Sequence, residues 1–214
     1  MTYKTRFQYL FDKATDIAQA ARASSPHGAV LPPLIFVTDP ARIRHPEDIA
    51  GHLPEGCGII YRHFGEPHAR ERARLLRRIS RDRGLTLLIG EDEALAAEVG
   101  ADGVHLRESR LDHAGAVAES GWIVTAACHS LDALKRAEGQ PALSAVLISP
   151  VFASASPSAQ GVVPLGARGA RALADAASLP VIAMGGVTCD TIEQLRGCGL
   201  CGVAAVEAFK LEDV

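Results

Sequence analysis

The 214-residue chain has no run of about 18 uncharged apolar residues, which excludes a helical membrane span. It also lacks the apolar block of a signal peptide: the opening MTYKTRFQYLFDKATDIAQAARASSPHG carries charges throughout. A cytoplasmic protein is expected. An excess of one charge sign is missing too. Lys and Arg number 22 and Asp and Glu 25, a formal net charge of −3, so neither nucleic acid nor an anionic membrane is indicated as a partner. The most basic stretch, RERARLLRRISRDR, contains acids and no interleaved aromatics, and reads as a solvated helix face. The cysteines number five, odd for a disulfide framework in a chain this large. Cys198 and Cys201 form a lone C-x-x-C, short of the four ligands of a structural zinc site, and read as buried thiols.

What is present is apolar residue, 48% of the chain, enough for one sizeable core. Phe7, Leu10, Phe11, Ala14, Ile17, Ala18 and Ala21 recur near the helical period, predicting an amphipathic helix over 6–23. SSPHGAVLPP then breaks it. Residues 1–30 are read as a helical extension that lids a core, and residues 31–214 as the main domain. There, short apolar runs alternate with helical patterns: Leu34–Thr38, Gly58–Arg62, Thr86–Ile89, Gly103–Leu106, Trp122–Ala126, Ala145–Ser149, Pro180–Met184 and Gly202–Val206. Continuous apolar runs suit parallel strands covered on both faces. Strands joined by helices imply right-handed crossovers. Eight such units predict an α/β fold, a closed (β/α)8 barrel. An open doubly wound sheet would favour a glycine-rich turn after the first strand, where this chain has VTDPARI.

In LPVIAMGGVTCDTIEQL, residues 179–195, a strand pattern stops at Gly185–Gly186 and a helical pattern follows. In such barrels a phosphate commonly sits at the loops after strands seven and eight, beside a short helix N-terminus. Glycines let backbone N–H groups reach the oxyanion. Gly185, Gly186, Val206 and Glu207 are therefore candidates for one anion site; a tight turn with close packing is the alternative. Other polar residues at predicted C-terminal strand ends are Thr38, Asp39, Arg62, His63, Glu91, His105, Arg107, Glu108, Cys128, His129, Ser130 and Ser149. His129 can exchange a proton near neutral pH or merely hydrogen-bond a loop. His105, inside a strand, reads as a packed histidine. Arg62 suits a ligand anion or an internal carboxylate. SPVFASASPSAQG is a long loop of the kind that binds or covers ligands.

EVGADGVHL (98–106), ACHS (127–130), SPVFASAS (149–156), IAMGGV (182–187) and GLCGVAAVEA (199–208), in this order, resemble the thiamine-phosphate synthase and TenI family. The resemblance implies a (β/α)8 barrel. Its synthases join an aminopyrimidine pyrophosphate to a thiazole phosphate, and its TenI-type members include tautomerases that aromatise the phosphorylated thiazole. By position, Ser154 and Ser156 stand for a ligand-binding Thr-x-Thr pair, Gly186 for the phosphate-binding glycine, Val206 for the next backbone contact, and His129 for the acid/base. Glu207 replaces a serine. On the pyrophosphate side only Arg62 survives of a Gln-x-Arg-x-Lys pattern, Ile60 and Phe64 replacing its ends. Gly90–Glu91 replaces Asn-Asp, Arg110 an acid expected to hold magnesium, and Pro157 a lysine. Arg107 and Arg110 are candidates for replacement charge. These departures favour a TenI-like protein that needs no cofactor and takes a small phosphorylated thiazole. A synthase, which would need magnesium and could use Glu91, and a non-catalytic phosphometabolite-binding barrel remain alternatives. A homo-oligomer is left open.

Overall fold

The computed structural model describes residues 2–22, 31–117, 121–154, 156 and 159–211. Its strands are β1 (Leu34–Val37), β2 (Gly58–Tyr61), β3 (Thr86–Gly90), β4 (Gly103–Leu106), β5 (Ile123–Cys128), β6 (Ala145–Ile148), β7 (Val181–Met184) and β8 (Gly202–Ala205). They pair in parallel in chain order. β1 also pairs with β8, Ile35 opposite Ala204, and this closes the cylinder. β1, β2, β6 and β8 are buried at every residue, because one face fills the barrel and the other meets the outer layer.

The outer layer holds α1 (Tyr3–Arg22), α2 (Pro46–Ala50), α3 (Ala69–Arg83), α4 (Glu93–Val99), α5 (Ala114–Val117), α6 (Leu131–Glu138) and α7 (Gly166–Ala176). Their ends follow local chemistry. Asp92 caps α4 by accepting from the Leu95 N–H, and Gly84 and Gly100 end α3 and α4 in the left-handed conformation. Ser130 caps α6 by accepting from the Ala133 N–H at 3.1 Å. That cap sets the direction in which the chain leaves β5, and so the place of His129.

On α1, Phe7, Leu10, Ala14 and Ile17 form a buried stripe against β1 and β8. The Phe7 and Phe209 rings lie 5.1 Å apart, and Phe209 lies 5.2 Å from Phe36. The helix covers the flank of the barrel at the β8/β1 seam; residues 23–30, the rest of the expected extension, lie outside the described residues.

The helical pattern read after Gly185–Gly186 is corrected: only a 3-10 turn, Ile192–Leu195, forms there. Thr191 stops a longer helix by turning back, its hydroxyl donating to the Gly186 carbonyl at 2.9 Å and accepting from the Thr188 N–H at 2.9 Å. After β8 the chain makes another 3-10 turn, Glu207–Phe209. Among the described residues, therefore, no α-helix follows β7 or β8, where the phosphate position was predicted. None of the five cysteines forms a disulfide; Cys57, Cys128, Cys198 and Cys201 are buried, and the Cys198 thiol donates to the Ala167 carbonyl at 3.5 Å.

Candidate active site

The C-terminal mouth of the barrel holds two adjoining lobes. The smaller, about 230 Å³, lies between the ends of β6, β7 and β8 and is lined by Arg42, Ser154, Gly185, Gly186, Val206 and Glu207 among others. The larger, about 620 Å³, lies over β2 to β5 and is lined by Arg62, Phe64, Glu91, His105 and Arg107 among others. His129, Ser149, Ser156 and Met184 border both.

The glycine pair is required by its surroundings. Gly185 and Gly186 have φ of +95° and +65°. A Cβ at Gly186 would stand 2.3 Å from the Ala153 carbonyl oxygen, and one at Gly185 2.9 Å from Pro150 Cα. The turn is tight against the β6 loop, the alternative the sequence left open, and the pair also borders the smaller lobe. Ser154 and Ser156 border this lobe, joined by a 3.3 Å hydrogen bond from the Ser156 N–H to Ser154 Oγ. Ala155, Pro157 and Ser158 lie outside the described residues, so the lysine position replaced by Pro157 has no structural account.

His129 is held at three points. Its backbone N–H donates to Glu108 Oε2 at 2.7 Å, and its Nδ1 lies 3.0 Å from the Ser149 carbonyl oxygen and 3.1 Å from Ser149 Oγ. A carbonyl only accepts, so in the neutral ring Nδ1 carries the proton and Nε2 keeps the lone pair. The ring is exposed at the border of the two lobes. This is the arrangement of a positioned base.

His105 pairs Nδ1 with Thr125 Oγ1 at 2.9 Å. Its accessible edge faces the larger lobe, which is itself walled by protein. Burial, with the charges of Arg62 and His129 adding to it, pushes its pKa down to about 3. His105 therefore stays neutral and offers the lobe a hydrogen-bonding ring without charge.

Arg62 takes the internal option in part. Its Nε donates to the Thr38 carbonyl at 2.8 Å and its Nη2 stands 3.6 Å from Asp39 Oδ2, an ion pair too long for a hydrogen bond. Burial lowers its pKa, while Asp39 opposes the shift. The guanidinium also lies 5.3 Å from the Phe64 ring centroid. Phe64 itself is 71% exposed and has φ +47°. A bulky residue in the left-handed region is a sterically disfavoured backbone position.

The candidate cations beyond β4 are spent on carboxylates. Glu91, at φ +67°, accepts from both the backbone N–H and the Nε of Arg107. Arg110 does not line either lobe; its Nη2 is 2.5 Å from Glu93 and its Nη1 donates to the Glu91 carbonyl at 3.1 Å. Magnesium, which the resemblance implies for a synthase, does not fit this set. Glu91 is held by Arg107, Asp92 is committed to capping α4, and Arg110 brings a positive charge where an acid is needed. Among the described residues no three His, Cys, Asp or Glu groups converge to hold a metal ion.

The sequence reading passed over Arg42 and Ser149 as site residues. Arg42 is reached through the turn after β1, where its Nε and Nη2 donate to Asp39 Oδ2 at 3.0 and 2.8 Å. The D-P-A-R spacing of VTDPARI, an acid three residues before a base at a strand end, was the available signal. Ser149 had been noted at a strand end, but its contact with His129 joins β5 to β6 and has no local signature.

The family model described as thiamine monophosphate synthase matches residues 34–209. Thiamine-phosphate synthase of Herpetosiphon aurantiacus is 30% identical over 163 residues, 75% of this chain and 78% of that protein. Thiamine-phosphate synthase of Halorhodospira halophila is 31% identical over 176 residues, 78% of this chain and 82% of that protein. Among solved structures, thiamine phosphate pyrophosphorylase from Pyrococcus furiosus superposes with a TM-score of 0.66 at 22% identity, covering 86% of this chain and 90% of that one, which speaks for the fold. A closed eight-stranded barrel with its polar residues gathered at one mouth, and a family match running from β1 to the turn after β8, lead to one conclusion: the chain belongs to the thiamine-phosphate synthase/TenI family of thiamine biosynthesis.

Proposed function

We propose that the chain acts as a TenI-type member, binding a phosphorylated thiazole in the smaller lobe and moving its protons through His129. The observation that carries this reading is the tethered imidazole: Nδ1 bound to Ser149 leaves Nε2 as the base at the border of the lobes. The reaction is an isomerisation. Nε2 takes a proton from a saturated ring carbon, the double bonds shift into the ring, and a proton returns at the far end of the conjugated system. No co-reactant is consumed, which suits a site whose carboxylates are engaged by arginines. Val206 and the glycine pair supply backbone toward the phosphate, and Ser154 and Ser156 border the same lobe.

The test is to mix the purified protein with the non-aromatic thiazole phosphate tautomer and follow aromatisation. We expect His129→Asn to lower the rate about a hundredfold or more while ligand affinity stays within a few-fold. An unchanged rate rejects the role of His129. The names of the relatives support a second reading, a synthase with a divergent pyrophosphate site. Metal-dependent formation of thiamine phosphate from both substrates at enzyme-like turnover would establish it.

A further inference from the structure

The smaller lobe carries a contradiction that its glycines do not resolve. Glu207 lines it, and a carboxylate there repels an entering phosphate ester, enough to weaken binding about tenfold to a hundredfold. Arg42 lines the same lobe and stands 3.6 Å from Glu207 Oε1 through its Nη1. This is the loosest of its contacts, for Nε and Nη2 both grip Asp39 Oδ2 at 3.0 and 2.8 Å. Asp39 is fixed in turn, its Oδ1 accepting from the Ala41 N–H at 3.1 Å. The guanidinium is thus anchored along one edge and offers the other to the lobe. Exposure decides which partner can leave: the Arg42 and Asp39 side chains are 14% exposed, that of Glu207 40%.

We propose that Arg42 is the side chain that selects a phosphorylated ligand in this lobe, holding Glu207 when the lobe is empty and exchanging it for the ester oxyanion on binding. Glu207 then turns to solvent, and Arg42 completes the grip begun by the backbone at Gly185, Gly186 and Val206. The ligand-free charges balance: Glu207 and Asp39 against Arg42 and Arg62, in a chain that crosses the mouth from one lobe to the other. Removing Glu207 from that chain leaves the net positive charge an oxyanion needs. A planar two-nitrogen edge also fits two phosphate oxygens, which an ammonium does not. The inference rests on the reading of the smaller lobe as the phosphate lobe.

Calorimetric titration with the thiazole phosphate, the unphosphorylated thiazole alcohol and inorganic phosphate tests it, using the full chain and the variants Arg42→Gln, Arg42→Lys and Glu207→Gln. Arg42→Gln is expected to weaken the phosphate ester about tenfold to a hundredfold and the alcohol less than twofold. Arg42→Lys, which loses the fork but keeps the charge, should fall between. Glu207→Gln should tighten the ester about fivefold or more, because it removes the competitor. Equal weakening of ester and alcohol by Arg42→Gln, or no gain with Glu207→Gln, overturns the proposal. If Arg42→Gln fails to fold, Glu207→Gln decides alone, since that half-exposed carboxylate supports no core packing. A wild-type chain that binds neither ester nor phosphate, or prefers the alcohol, overturns it as well. Ester selectivity that follows this pattern without any aromatisation leaves the Arg42 role standing and removes the tautomerase reading.

Discussion

His105 lies on β4 and His129 just past the end of β5, and their surroundings differ. Ser149 and Glu108 hold His129 at the open border of the lobes. Thr125 and the barrel wall keep His105 uncharged, its pKa pushed down to about 3 from the ordinary 6.5. A histidine held neutral in the fold but free to ionise when unfolded contributes its stability above the unfolded value. That contribution is lost as the pH falls from 6.5 toward 3, because only the unfolded chain takes up the proton there. We expect the unfolding free energy from urea denaturation to decline on this acid limb by at most about 1.4 kcal/mol per pH unit from this group, less where its edge meets solvent. His105→Gln should flatten that part of the profile between pH 6.5 and 4.5, measured against the wild type in parallel denaturations; an unchanged slope would show that His105 is charged or is not the group responsible.

At the scale of elements, α1 is the clearest case of a local pattern finding a tertiary role. Its stripe of Phe7, Leu10, Ala14 and Ile17 announces a buried face but not what it faces. The partner is the β8/β1 seam, through Phe209 and Phe36. Phe7→Ala should cost about 3–5 kcal/mol, read from urea or guanidinium unfolding, because the aromatic cluster closes the outer layer there. That is a large share of the stability of a domain of this size. A loss under about 1 kcal/mol would mean the helix contributes little to holding the seam. The segment after β7 shows the reverse. TCDTIEQL has a helical rhythm, yet Thr191 and Thr188 hydroxyls tie the backbone into a turn that yields only Ile192–Leu195 as a 3-10 element.

At the scale of the whole molecule, the mouth divides into a smaller lobe bordered by the glycine pair and a roomier lobe whose lining acids, Glu91 and Asp92, have partners of their own. Glu91 is paired with Arg107 and Glu93 with Arg110, so neither carboxylate is free to join a divalent site. We expect manganese titration followed by electron paramagnetic resonance to show no site tighter than the millimolar range, and magnesium to leave pyrophosphate affinity unchanged. A micromolar manganese site that Glu91→Gln abolishes would contradict this assignment of Glu91.

The barrel itself was legible in the chain because each parallel strand is buried on both faces and so spells a continuous apolar run. The eight predicted runs coincide with β1 to β8 to within about two residues at the ends. Gly103–Leu106 agrees at both ends, whereas β5 continues to Cys128 because pairing with Ile148 overrides the weak strand preference of Ala127 and Cys128. Position at a strand end also brought out Arg62, His129, Gly185, Gly186, Val206 and Glu207, since a closed barrel gathers such ends at one mouth whatever the loops do. Partnership was not legible. Whether Arg110 faces the ligand or Glu93, whether Glu207 stands alone or beside Arg42, and which nitrogen of His129 is free depend on residues brought together from different strands. A local pattern records the face a side chain takes, whereas its charge and proton are set by neighbours that only the closed barrel supplies.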